Sequence, residues 1–126
     1  MIDLVYPDLS YKIVGMLFSV YNELGPGYQE KYYQRAIANV LKNVGLKFVE
    51  QLTVPLNFRD EKTGCYYLDF LIENNIILEI KKGDRFLKQN IEQVNAYLKS
   101  TGPKLAIIAN FTKTGLQFKR IVNIKN

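Results

Sequence analysis

Between positions 69 and 81 the chain reads Asp-Phe-Leu-Ile-Glu-Asn-Asn-Ile-Ile-Leu-Glu-Ile-Lys, which sets Asp69, Glu79 and Lys81 inside an otherwise apolar β-hairpin. Burying an unpaired charge among aliphatic side chains costs several kcal/mol, so this placement calls for a function. The chemistry that fits is a divalent metal site. Mg2+ and Mn2+ take hard oxygen ligands in octahedral geometry, and two or three carboxylates with a backbone carbonyl and waters supply that shell. On this reading Asp69 and Glu79 hold the ion and the carbonyl of Ile80 adds a ligand. Lys81, two residues on and therefore on the strand face of Glu79, orients or helps deprotonate an attacking water and offsets charge on a scissile phosphate. Two more polar groups on helices are expected to face inward: Glu30, as a further acid, and Gln93, which would fix the lysine or a water.

Composition narrows the alternatives. The chain has no histidine and a single cysteine, Cys65. That excludes Ser-His-Asp triads, Cys-His pairs, HExxH zinc sites, cysteine-clustered metal sites and an intrachain disulfide. Lys and Arg number 17 against 12 Asp and Glu, a net charge of +5, which suits a polyanionic partner or simply solubility. No run reaches the ~18 apolar residues that span a membrane, and the N-terminus lacks the basic region of a signal peptide, so a soluble, cytoplasmic protein is expected. With 126 residues and 48% hydrophobic content, one domain over 1–126 can bury a continuous core.

The elements that must position these groups follow from spacing. Ile13, Met16, Leu17, Val20, Tyr21 and Leu24 form a helical stripe, capped by Asp8 or Ser10 and stopped by Gly25-Pro26-Gly27. A second helix is expected from about Tyr28 to Asn43, with Tyr33, Ile37 and Leu41 inward and Glu30 in its first turn. Alternation of Phe48, Leu52, Val54, Leu56 and Phe58 predicts a strand, at an edge because of Pro55. Residues 59–64 read as a polar turn, and 65–72 and 76–81 as two strands apolar on both faces, which helices should cover. A three-residue loop pairing Ile72 with Ile76 would set Asp69 across from Glu79 and Tyr67 across from Lys81, with an asparagine in the left-handed position. A third helix from about Arg85 to Ser100 carries Gln93 and should return the chain to a strand at 105–109, parallel to 76–81, before a last strand at 116–121. The order is α-α-β-β-β-α-β-β.

The segment Asn22-Glu-Leu-Gly-Pro-Gly27-Tyr-Gln-Glu30-Lys-Tyr-Tyr33-Gln-Arg-Ala36 resembles the defining motif of the GxxExxY proteins, small members of the PD-(D/E)XK nuclease superfamily. Leu68-Asp69-Phe-Leu-Ile, Ile-Leu-Glu79-Ile-Lys81, Gln93-Val-Asn-Ala-Tyr97-Leu98 and Asn110-Phe111 follow in the family's order, so the resemblance spans nearly the whole chain. It implies the restriction-endonuclease-like α/β fold, a mixed sheet core flanked by helices, and metal-dependent phosphodiester hydrolysis. It also makes Glu30, Asp69 and Glu79 the acidic residues, Lys81 the motif lysine and Gln93 the helix glutamine. Tyr21 and Asn90 stand where many relatives have histidine, and Lys82 where a small residue is usual; none of these removes a metal ligand.

Plainer readings stand beside these. Glu79 with Lys81 alone also fits a cross-strand ion pair, and a first-turn acid such as Glu30 is explained equally well by the helix macrodipole, worth roughly 0.3–1 kcal/mol. Tyr33 and Tyr97 read as core aromatics whose hydroxyls need partners. Lys82, Arg85 and Lys88 suit either a nucleic-acid backbone or a solvated face. Two functions follow: a Mg2+ or Mn2+-dependent nuclease acting on DNA, or a nuclease-like module that binds nucleic acid or protein without cutting. A homodimer would let either engage both strands of a duplex.

Overall fold

A computed structural model describes residues 6–123. The elements run α1 (Pro7–Leu24), α2 (Glu30–Asn43), β1 (Phe48–Phe58), β2 (Glu61–Ile72), β3 (Ile76–Lys82), α3 (Lys88–Ser100), β4 (Leu105–Thr112) and β5 (Gly115–Val122). The five strands form one mixed sheet in chain order, antiparallel except for β3 and β4. That parallel pair is the one joined by a helical crossover, as parallel neighbours require. This is the expected architecture, with β1 and β5 as its edges and Pro55 on one of them.

The sheet is buried on both faces. Phe70, Ile72, Leu78, Ile80, Ile107 and Phe111 pack against Ile13, Leu17, Tyr33, Ile37 and Leu41 of α1 and α2. Ile77, Ala106 and Ile108 pack against Val94 and Leu98 of α3 on the other side. Period-two alternation thus assigns Ile77, Glu79 and Lys81 of β3, and Ile108 and Asn110 of β4, to the α3 face.

Several boundaries differ from expectation for identifiable reasons. Helix α1 starts at Pro7, which takes the first helical position after Tyr6, and Ser10 is buried inside the helix, accepting a hydrogen bond from Arg120 Nε, rather than capping it. Helix α2 starts at Glu30, because Gly25 and Gly27 take positive φ and Gln29 is extended. The polar stretch 59–64 contains only a two-residue turn at Arg59-Asp60, both at positive φ, so β2 already begins at Glu61. Helix α3 begins at Lys88, three residues later than expected, and Leu87 is exposed.

The β2–β3 loop has three residues and pairs Ile72 with Ile76, as expected. Glu73 and Asn74 both adopt positive φ. A glutamate tolerates that strain here because Lys47 tethers it at both ends, its N–H donating to the Glu73 carboxylate at 2.7 Å and its carbonyl accepting the Glu73 N–H at 2.8 Å.

The long β1–β2 hairpin departs from simple alternation. Phe48 and Phe70 face α1 and α2, whereas Leu52, Val54 and Leu68 belong to the α3 side, although all are even-numbered. Glu50 pairs with Phe70 and Leu52 with Leu68, so the register holds across Gln51 while the faces swap, and it shifts only between Leu56 and Asn57. Gln51, at φ 56, marks the swap, and Asp69 stands opposite it. The expected single stripe from Phe48 to Phe58 therefore divides at Gln51, and Leu56 and Phe58 end up exposed.

Candidate metal centre

The β2–β3 ladder closes at Phe70↔Leu78, and beyond it the two strands fork. Tyr67 therefore does not reach Lys81 as expected; it pairs with Thr53 of β1 instead. At the fork the carboxylates of Asp69 and Glu79 replace the missing backbone partners. The Asp69 N–H donates to Glu79 Oε1 at 2.6 Å, and the Ile80 N–H donates to Asp69 Oδ2 at 2.7 Å. Each acid thus satisfies a backbone donor on the opposite strand that would otherwise be buried unpaired. Because a residue's N–H and C=O leave a strand on the same side, the Ile80 carbonyl points into the same fork.

Further groups converge from both faces. From α2, Gln34 Nε2 donates to Asp69 Oδ1 at 2.9 Å, and Glu30 Oε2 accepts the Lys82 N–H at 3.2 Å. From β3, Lys81 Nζ lies 3.4 Å from Glu79 Oε2. From the α3 side, Tyr66 donates its hydroxyl to the Gln93 carbonyl at 2.9 Å; burial, and after it the nearby Glu79 carboxylate, raise the phenol's pKa.

The helix that brings Glu30 and Gln34 is fixed by Tyr33. Its ring stacks on Phe111 of β4 at 4.1 Å between centroids. Its hydroxyl donates to the Gly25 carbonyl at 2.7 Å and accepts the Tyr28 N–H at 3.3 Å. Gly27, at φ 100, permits the turn that this tether requires. Gly27, Glu30 and Tyr33 therefore act together as turn, acid and anchor.

Electrostatically the fork is short of positive charge. Burial is the main force raising the Glu79 pKa, to about 7, with the nearby Asp69 charge adding to it and Lys81 opposing. Asp69 is also raised, chiefly by burial and further by Glu30, against the lowering effect of the Ile80 N–H, Lys81 and Gln34. Two buried acids with elevated proton affinity and one ammonium form a site that a cation would relieve. Its donors are all hard oxygens, as Mg2+ or Mn2+ would require.

The structure thus joins Asp69, Glu79, Ile80 and Lys81 directly. Glu30 stands at the margin: among the described residues no three acids sit close enough to form a ready-made cluster. Gln93 enters through its backbone carbonyl. Gln34 and Tyr66 are additions that spacing had not singled out. Gln34 had a signal, being one helical turn after Glu30, whereas Tyr66 had none, because the swap at Gln51 hides which way it faces. At the carboxyl ends of β3 and β4 a cleft of about 140 Å3, lined by Gly27, Lys82, Gly83, Phe111 and Lys113 among others, opens beside the fork. Ligands of open α/β sheets sit at such strand ends.

Among the described residues no helix is long and apolar enough to cross a membrane. No curated protein matches the chain. The crystal structure of SSO0001 is similar in fold, with a TM-score of 0.56 at 19% identity. The likeness covers 77% of this chain and 52% of that one, so the chain spans about half of that protein's length. A family model for the PD-(D/E)XK nuclease superfamily matches residues 7–121.

Proposed function

The chain belongs to the PD-(D/E)XK nuclease superfamily, and from that membership, which itself suggests a metal-dependent nuclease, we propose that it hydrolyses phosphodiester bonds of DNA with Mg2+ or Mn2+. Within the superfamily we read it as a GxxExxY protein, with residues 1–126 as one nuclease-like domain. The observation that carries the reading is the fork, where the buried carboxylates of Asp69 and Glu79 meet and, among the described residues, Lys81 is the cation paired with them.

Asp69, Glu79 and the Ile80 carbonyl would hold the ion, with Glu30 reaching it from α2. When bound, a divalent ion lowers the pKa of its water and neutralises charge on the phosphate. The chain's own groups do the rest. Gln34 orients Asp69 by holding Oδ1, leaving that carboxylate only part of its lone pairs for a ligand. Lys81 sits by Glu79 Oε2, where it can orient the attacking water, take part in its deprotonation or pair with a non-bridging phosphate oxygen. Gln93 holds the α3 wall through Tyr66. Lys82 and Lys113 at the neighbouring cleft suit the flanking phosphates.

The experiment is cleavage of single-stranded, duplex and branched DNA with Mn2+. Asp69→Ala and Glu79→Ala should abolish cleavage while the far-UV spectrum stays that of a folded protein. A wild type that cuts no DNA or RNA form sinks the enzyme reading. The second reading, a module that binds nucleic acid or protein without cutting, is favoured by one observation: both acids already serve backbone donors, and a purely structural fork would do the same. Mn2+ titration separates the two, because a metal site shifts the melting temperature and a structural fork does not.

A further inference from the structure

Asn110 is fully buried on β4, and among the described residues neither its amide nitrogen nor its amide oxygen has a hydrogen-bond partner. A buried side-chain amide left unsatisfied at both ends is rare and unfavourable, and a leucine of similar size would suit an apolar layer better. Its position suggests a use for it. Asn110 is the register partner of Lys81 across the parallel β3–β4 pair, and both lie on the α3 face of the sheet. Behind it on that face stands Ile108, the register partner of Glu79. The orphan amide is therefore a polar neighbour of the lysine on the β4 side, with Gln117 of β5 as its own register partner beyond it.

We propose that Asn110 is a positioning residue for Lys81, holding an ordered water that it shares with the ammonium. The chemistry of the two ends selects the partner. The amide offers donors at one end and acceptor lone pairs at the other, so one partner satisfying both must also donate and accept. Water does this; an ammonium only donates and a carboxylate only accepts. A water between Asn110 and Lys81 would satisfy the amide and restrain a side chain that is 29% exposed and, among the described residues, held by Glu79. This deepens the nuclease reading and rests on it for the rate, but not for the water.

The test has two arms. A high-resolution crystal structure of the wild-type protein should show a water within hydrogen-bonding distance of the Asn110 amide and Lys81 Nζ; an amide satisfied by protein atoms alone overturns the proposal. In Mn2+-dependent DNA cleavage, Asn110→Leu should lower kcat by roughly 10-fold, the low end of what loss of a supporting hydrogen-bond partner does at metal sites, with KM unchanged and the melting temperature equal or higher. Asn110→Ser, which keeps a donor and acceptor and makes room for water, should recover most of the rate. In a Lys81→Ala background, Asn110→Leu should lower the rate no further, because a residue acting through the lysine has nothing left to act on. A full additional loss there, or unchanged kcat in the single variant, overturns the proposal. A wild type that cleaves nothing would defeat the nuclease reading instead, and the crystallographic water would still decide the placement of Asn110.

Discussion

Glu79 illustrates how a single carboxylate couples stability to the site. Its ordinary pKa of 4.5 rises to about 7 in the fold, chiefly through burial. The folded protein therefore binds that proton more tightly than the unfolded chain does. The resulting stability is fully present below pH 4.5, declines through the interval up to about 7, and is lost above it. In EDTA, the melting temperature should be higher near pH 5 than near pH 8, and Glu79→Gln should flatten that difference, since a neutral amide has no proton to lose. Thermal scans of both proteins across pH check this, and an unchanged slope in the variant would assign the dependence elsewhere. Mn2+ should stabilise the wild type more at the higher pH, because ligation requires the deprotonated carboxylates.

At the scale of elements, the face swap at Gln51 lets a long hairpin serve both layers of the core. Gln51→Val should destabilise the protein by about 1–2 kcal/mol, since a branched side chain tolerates positive φ poorly, whereas Gln51→Gly should be neutral or stabilising. Urea denaturation of the two variants distinguishes them. Ile37→Ala, emptying the contact between α2 and the sheet, should cost about 2–5 kcal/mol and loosen Glu30 and Gln34 with it. This swap also shows where sequence reading stops. The Ile72–Ile76 register was legible, because a two-residue loop would put Asp69 and Glu79 on opposite faces, whereas a three-residue loop built on the Asn-Asn pair brings the two acids together. The parallel β3–β4 pair was legible too, because a helix lies between the two strands. Gln51 was not, since glutamine is not a residue type that announces left-handed backbone. The orphaned Asn110 and the tether from Tyr66 to Gln93 were equally hidden, because each depends on a neighbour distant in sequence.

For the whole molecule, a net charge of +5 means that association with DNA should weaken as salt rises. The slope of log affinity against log salt would count the phosphates neutralised, and Lys82→Ala or Lys113→Ala should each lower its magnitude by about 1 if that lysine contacts a phosphate. A salt-independent affinity would point away from nucleic acid. The fork between β2 and β3 has a spectroscopic consequence as well. The amide hydrogens of Asp69 and Ile80 end on carboxylate oxygens instead of peptide carbonyls. Anything that draws those oxygens away, a proton or a cation, changes both hydrogen bonds at once. The amide resonances of these two residues, and their exchange with deuterated water, should therefore report occupancy of the site directly, from inside the sheet and without any substrate.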